Sequence, residues 1–369
     1  MRPSTRAAAL AAVLFALLAA ACAPTGEQEK TAPEKTAPEK APQRKAPPEF
    51  HLANIRQLTF AGENAEAYFS ADGKELIFQS TRDGLGCDQI FRMKTDGSGV
   101  KMVSTGKGRT TCAYFFPDGS RIVYASTHLG GPECPPVPPR RPGGRYVWPI
   151  YASFDIFSAD PDGGDLRRLT DAAGYDAEAT VSPDGKRIVF TSARDGDLEL
   201  YTMNPDGSDH RRITRTPGYD GGAFFSPDSR RICYRASRPK EGDELKAYKD
   251  LLAKEQVEPT RLEIFVCDAD GSNARQVTAN GAANFCPFFH PSGRKILYAS
   301  NQADRRGYNF DLFLVDLEDG KEEQITFDPT FDGFPMFSPD GKKLVWGSNR
   351  NPAPGRARDT NIFIADWMP

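Results

Sequence analysis

Histidine is scarce in this chain: four in 369 residues, at His51, His128, His210 and His290. His51 precedes the first strand pattern, His210 falls at a turn and His290 stands where equivalent turns carry serine. Residues scattered in this way do not converge on one metal ion, whose ligands must close around it. The sequence also has no Gly-x-Ser-x-Gly and no Cys-x-x-Cys, which removes the nucleophile elbow and the common zinc knuckle. A basic excess is missing too. Lys and Arg number 47 against 50 Asp and Glu, a formal charge of −3, so nucleic acid is not an expected partner. Long apolar runs are confined to Ala7–Ala21, which is shorter than a membrane span and of signal-peptide length.

That run follows Arg2 and Arg6 and ends in "LLAAAC". Small residues before Cys22 resemble the bacterial lipobox, and the resemblance implies a leader over 1–21, lipidation of Cys22 and, with Ala23 next, sorting to the outer membrane. Loss of the two leader arginines would move the charge from −3 to −5. Residues 22–49 are rich in Pro, Ala, Glu and Lys, as in "TAPEKTAPEKAPQRK". With nothing to bury, such a segment stays extended, and at ~3.1 Å per residue it tethers a folded body up to roughly 80 Å from the anchor.

From residue 50 onward a phrase returns six times: "SADGKELIF", "FPDGSRIVY", "SPDGKRIVF", "SPDSRRICY", "HPSGRKILY" and "SPDGKKLVW". The copies begin at 70, 116, 182, 226, 290 and 338, giving spacings of 46, 66, 44, 64 and 48. Spacings in the mid-forties suit a four-stranded propeller blade, and the two long ones require insertions. Pro, Asp and Gly in this order suit a tight turn between strands a and b. Strand b ("KRIVFTS") is apolar at consecutive positions, as expected when both faces are covered. Strand c ("LELYTMN"), an Asp-Gly turn and a short strand d ("HRRIT") follow. An orphan "RQLT" at Arg56 precedes the first unit, whereas the sixth stops after "NIFIADW". The first strand should therefore complete the last blade and remove its open edge.

The expected fold is all-β: a six-bladed propeller of four-stranded antiparallel blades over 50–369, closed by an N-terminal outer strand, with a short helix inserted in blade 4. Ser182–Gly185, Ser192–Gly196, Glu199–Tyr201 and Arg211–Thr214, repeated in each unit, resemble the TolB-type WD-like propeller family. The resemblance implies a non-catalytic envelope protein that engages an envelope protein or a peptidoglycan-associated lipoprotein through one face of the ring. It also leaves room for a different class, a glycan- or peptide-acting enzyme or enzyme accessory, because related blades serve lyases and peptidases. The six units take up the sequence after the tether, so no hydrolase domain is expected. The propeller should be monomeric, lipid-anchored to the membrane and facing the periplasm.

Aligning the units places Asn64, Thr110, Asp176, Asp220, Asn284 and Asp332 at the entrance of strand a. Arg82, His128, Arg194, Arg238, Gln302 and Arg350 lie beyond strand b. These connections share a face, so the pattern predicts either a polar funnel at a central channel or a structural network within blades. Asn64, Arg82, Asp176, Arg194, Asp220, Arg238, Asn284, Asp332 and Arg350 are the funnel candidates, with Glu66 and Glu178 adding acidity. No cofactor is expected beyond a cation in the channel. "DPDGGD", "NPDGSD" and "DADGSN" lack the ligand spacing of a calcium loop and read as hairpin turns. The insertions, 128–154 and 239–260, lie on the same face. "GDELKAYKDLLAKE" has apolar residues at helical spacing, and Trp148, Tyr151, Tyr248 and Leu252 are the partner-face candidates. After Cys22, six cysteines fall in two groups of three, too far apart to bridge. Within the first group, a disulfide of Cys112 with Cys87 or Cys134 is favoured.

Overall fold

The computed structural model describes residues 47–138, 146–304, 307–352 and 359–369. The 1–21 leader, the Cys22 lipidation site and the tether up to residue 46 lie outside the described residues. The repeat phrase makes a tight a–b turn through local polar chemistry. In blade 3 the Ser182 hydroxyl donates to Asp184 Oδ1 (2.7 Å) and accepts from the Arg187 N–H (3.0 Å), while Asp184 accepts from the Lys186 N–H (3.1 Å). Gly185 takes the left-handed conformation (φ 71°) that glycine adopts without penalty. The same bonds recur around Ser226 and Ser338. In blade 5 His290 stands in the serine's place, and its ring accepts from the Ser292 N–H (3.1 Å) instead.

Each unit forms one four-stranded antiparallel sheet, six in all among the described residues. The a strands are Asn64–Phe69, Thr110–Phe115, Asp176–Val181, Asp220–Phe225, Asn284–Phe289 and Asp332–Phe337. Each packs against the a strand of the next blade, and the last packs against the first. The b strands are almost wholly buried, as their unbroken apolar runs predict. Most d strands are only two or three residues long, which limits the exposed edge.

The exception is the long outer strand of blade 6, Leu52–Gln57, which pairs antiparallel with Asn361–Trp367. The Leu58 N–H donates to Ile362 O (2.8 Å), and the Thr59 hydroxyl accepts from the Ile362 N–H (2.9 Å). Leu58 joins a core cluster that includes Ile90, Met93 and Val103 of blade 1 as well as Ile362 and Ile364 of blade 6. The start of the propeller thus closes the ring, as expected from the orphan strand.

Both insertions carry structure. The helix Asp243–Leu252 forms within the blade 4 insertion, with Asp243 and Glu244 in its first turn. Beyond it, Gln256–Val257 pairs antiparallel with Trp148–Pro149 from the blade 2 insertion. The two insertions therefore join over blade 3 as a cap.

Candidate functional site

The Asp/Asn–Arg pattern builds blades and does not line a funnel. Asp176, Asp220 and Asp332 are buried, each bonded to the arginine eighteen residues on: Arg194 (3.1 Å), Arg238 (2.5 Å) and Arg350 (2.7 Å). Asn64 accepts from Arg82 (3.1 Å) and from the Ser80 hydroxyl (2.8 Å). The guanidinium groups stack on blade aromatics, Arg194 on Phe190 and Tyr201, Arg350 on Trp346 and Phe363. Asn284 reaches Gln302 only through Asn280. Burial lifts Asp220 to about 7 and Asp332 to about 6, against the pull of their arginines. None of these nine candidates lines the central cavity. The funnel expectation does not hold for them: in blades 1, 3, 4 and 6 the first residue of strand a bonds to the arginine beyond its own strand b, whereas Thr110, the blade 2 counterpart, does line the cavity.

What does face the axis is the third residue of each a strand. Glu66, Cys112, Glu178, Gly222, Cys286 and Phe334 all have φ between 52° and 60°. In every blade the a–b register slips around this residue, a β-bulge repeated six times. A bulge re-aims a side chain, and a left-handed non-glycine residue costs about 1–2 kcal/mol. All six positions line a cavity of about 1030 Å³. Alternation counted from the strand entrance cannot find them, and no shared residue type marks the position.

The charged centre of the cavity is Glu178. Its Oε1 accepts from Arg235 (2.6 Å) and the Tyr219 hydroxyl (2.5 Å), and its Oε2 from the Thr191 hydroxyl (2.8 Å) and the Gly222 N–H (2.7 Å). Burial alone would raise this carboxyl, but Arg235 and the three donors hold it below its ordinary range. Gly222 is glycine for a reason: a Cβ there would lie 1.7 Å from an Arg235 nitrogen. Arg235 is itself stacked between Trp148 (5.4 Å) and Tyr219 (5.0 Å). Glu66 is different. Burial pushes its carboxyl up to about 7, the Cys112 thiol hydrogen-bonds to it, and its Oε2 has no partner.

Two residues deeper on the same strands, Tyr68, Tyr114, Phe224 and Phe288 meet with ring centroids 5.3 to 6.1 Å apart. This aromatic plug closes the channel midway. On its far side a separate apolar cavity of about 280 Å³ is ringed by the turn prolines Pro117, Pro183, Pro227, Pro291 and Pro339.

The cap covers the cavity of about 1030 Å³. Trp148 lines it and meets Phe285 edge-on at 6.1 Å, and Tyr151, which is buried, lines it as well. Tyr248 and Leu252 are half-buried and pack on the cluster of Tyr175, Leu198 and Tyr219 beneath the helix. The Tyr248 hydroxyl donates to Asp197 (2.5 Å). The disulfide also differs from expectation. Cys87 bridges Cys134 with Cα atoms 5.9 Å apart, and Cys112 stays a free thiol because its bulge turns it to the axis. That bridge pins the blade 2 insertion to blade 1. The four histidines have separate local partners: Glu323, Ser126, Arg194 and the blade 5 turn.

Residues 150–249 match the family model of the TolB beta propeller domain. A protein TolB homolog of Chlorobium luteolum is 26% identical over 148 residues, 35% of this chain, and the match spans only 34% of that homolog. Among solved structures, TolB from Acinetobacter baumannii superposes with a TM-score of 0.53 at 19% identity, over 83% of this chain and 64% of its own. An oligogalacturonate lyase in complex with manganese gives 0.50 at 13% identity, over 86% and 95%. Identities this low establish the fold alone. The ring is a six-bladed β-propeller whose fold is like that of TolB.

Proposed function

We propose that this protein is a non-catalytic binding or scaffold lipoprotein of the cell envelope, anchored through Cys22 in the outer membrane and facing the periplasm. It engages an envelope protein or a peptidoglycan-associated lipoprotein through the capped face of the ring. The observation that carries this reading is the cavity of about 1030 Å³ under the paired insertions. Its floor is plugged, so it is a receptacle and not a passage. Its rim presents apolar groups to solvent: Tyr308 is 82% exposed, Val137 63% and Tyr146 52%. Exposed aromatics beside a concave, partly apolar site favour a docking role. A photo-crosslinking residue at Tyr308, at the cavity mouth, should capture a defined envelope partner in native membranes. The same probe at Lys186, on the opposite turns, should not. Equal capture from both positions, or none from Tyr308, refutes docking at the capped face.

A glycan- or peptide-acting enzyme is the second reading, favoured by the fold likeness to the lyase and by a cavity carboxyl near neutrality. Turnover of such a substrate that disappears in a folded Glu66→Gln variant would replace the first reading.

A further inference from the structure

The cavity has two unlike walls. Blades 1 and 2 contribute Glu66, Gln79, Asp88, Arg109 and Cys112, whereas blades 5 and 6 contribute Phe285, Phe310, Phe331 and Phe334. The aromatic wall is continuous, with centroids 4.6 Å apart between Phe285 and Phe310 and 6.0 Å between Phe331 and Phe334. Three carboxyl groups reach the cavity. Asp88 is paired with Arg109 (2.5 Å) and Glu178 with Arg235 (2.6 Å). Among the described residues no cation is paired with Glu66, whose bonded neighbour is a thiol and whose Oε2 accepts nothing. Backbone strain nevertheless aims this residue at the axis (φ 53°), and it keeps part of its surface on the cavity. A buried carboxyl without its donor is costly unless something else supplies one.

We infer that the capped cavity takes an organic primary ammonium on an apolar stem, its head at the Glu66 carboxyl and its stem along the Phe285–Phe334 wall. The inference rests on the capped cavity being the docking site and specifies the chemistry that it recognises. The chemistry fits from both sides: the carboxyl gains a charge-assisted hydrogen bond, and an aromatic wall tolerates both a methylene chain and a cation. A bare metal ion fits less well, because among the described residues no three His, Cys, Asp or Glu side chains gather to hold one. The ammonium could belong to a free amine or to a lysine side chain of a partner, and the two are separable by experiment.

Binding should depend on pH in a defined sense. The groups facing Glu66 are Cys112, Glu178, Arg235, Asp88, Tyr68 and Cys286. Burial holds both thiols and the Tyr68 hydroxyl far above neutrality as acids, and Glu178 and Arg235 stay charged. The proton on Glu66, lost at about 7, therefore competes with the ammonium, and affinity should fall about tenfold from pH 8 to pH 6.

The test titrates the full chain with n-pentylammonium, with Nα-acetyl-lysinamide and with the neutral isostere 1-pentanol, read by chemical-shift perturbation of cavity residues. At pH 8 n-pentylammonium should bind at least tenfold more tightly than 1-pentanol. Glu66→Gln should abolish that preference and its pH dependence while melting no lower than the wild type. Binding of the lysinamide as well as the amine extends the inference to a partner's side chain, and binding of the amine alone restricts it to small ligands. The inference is overturned by equal binding of ammonium and alcohol, by a preference that survives in Glu66→Gln, by the same shifts from sodium or calcium alone, or by no saturable ammonium binding. Partner capture at Tyr308 that persists when the ammonium fails sinks this inference and leaves docking standing. Ammonium binding without any captured partner does the reverse.

Discussion

Leu58 is the residue on which ring closure can be weighed against a control in the same segment. It is 6% exposed, lies between blades 6 and 1, and belongs to the cluster that holds Ile90, Met93, Val103, Ile362 and Ile364. Ile55, three residues earlier and within the strand Leu52–Gln57, is 38% exposed and belongs to no core cluster. If the N-terminal strand truly zips the ring, Leu58→Ala leaves a cavity at the seam and should cost about 2–5 kcal/mol. Ile55→Ala should stay within about 0.5 kcal/mol of the wild type. For a domain of this size each kcal/mol moves the melting temperature by roughly 2 °C, so Leu58→Ala should melt about 4–10 °C lower. Removal of the segment should go further. A chain beginning at Gly62 loses the Leu52–Gln57 pairing, the Leu58 and Thr59 bonds to Ile362, and the two contacts of Glu49 with Arg350 (3.0 and 3.1 Å). Its uncovered Asn361–Trp367 edge should also drive self-association. Differential scanning calorimetry and light scattering read both effects. A Leu58→Ala protein as stable as Ile55→Ala, or a Gly62-start chain as heat-resistant as the parent, would refute the seam.

Other outcomes follow from the same geometry. Reducing the Cys87–Cys134 bridge opens a 47-residue link and should cost about 4 kcal/mol on chain-entropy grounds. Thiol counting on denatured, unreduced protein should find four thiols among the six cysteines after Cys22, namely Cys112, Cys233, Cys267 and Cys286, and a count of six rejects the bridge. Arg235→Met strands the buried Glu178 carboxylate and should cost about 3–5 kcal/mol, with much of the loss recovered when Glu178→Gln is added. Urea titrations of the single and double variants measure the coupling, and simple additivity contradicts it. Glu66 sits above its ordinary value of 4.5 in the folded chain, at about 7. Its contribution to stability is therefore intact below pH 4.5 and lost as the pH rises through 7. Glu66→Gln should be more stable than the wild type at pH 8 by up to about 3 kcal/mol and equal to it at pH 4, and a difference independent of pH removes the argument.

The blades were legible in the sequence because their signals are local and repeated. Ser, Asp and Gly of the turn bond to one another within six residues, so "SPDG" carries its own geometry wherever it stands. Closure was legible because one strand d had no blade and one blade had no strand d. The cap was half legible. Helical spacing marked Asp243–Leu252, but nothing in either insertion reveals that Trp148–Pro149 and Gln256–Val257 pair across blade 3. The disulfide was missed for a related reason: choosing Cys134 over Cys112 as the partner of Cys87 requires knowing that a bulge turns Cys112 inward.

The bulge also explains why the most regular polar pattern pointed away from the site. Asp or Asn at the strand entrance and Arg beyond strand b recur in blades 1, 3, 4 and 6 because these blades meet the same problem, a buried strand end whose carboxyl or amide needs a donor and whose aromatics need a cover. Repetition of residue type at equivalent positions is thus the mark of construction. The third position of strand a obeys the opposite rule. Its backbone is identical in six blades, yet it holds Glu, Cys, Glu, Gly, Cys and Phe. One of the six is a glycine that makes room for Arg235, one a glutamate that binds that arginine, and one a glutamate left without a base. A ring of identical scaffolds can recognise an asymmetric ligand only where its copies differ. Internal comparison of the repeats should therefore seek the constant backbone position with the least constant side chain, and here that position surrounds the cavity.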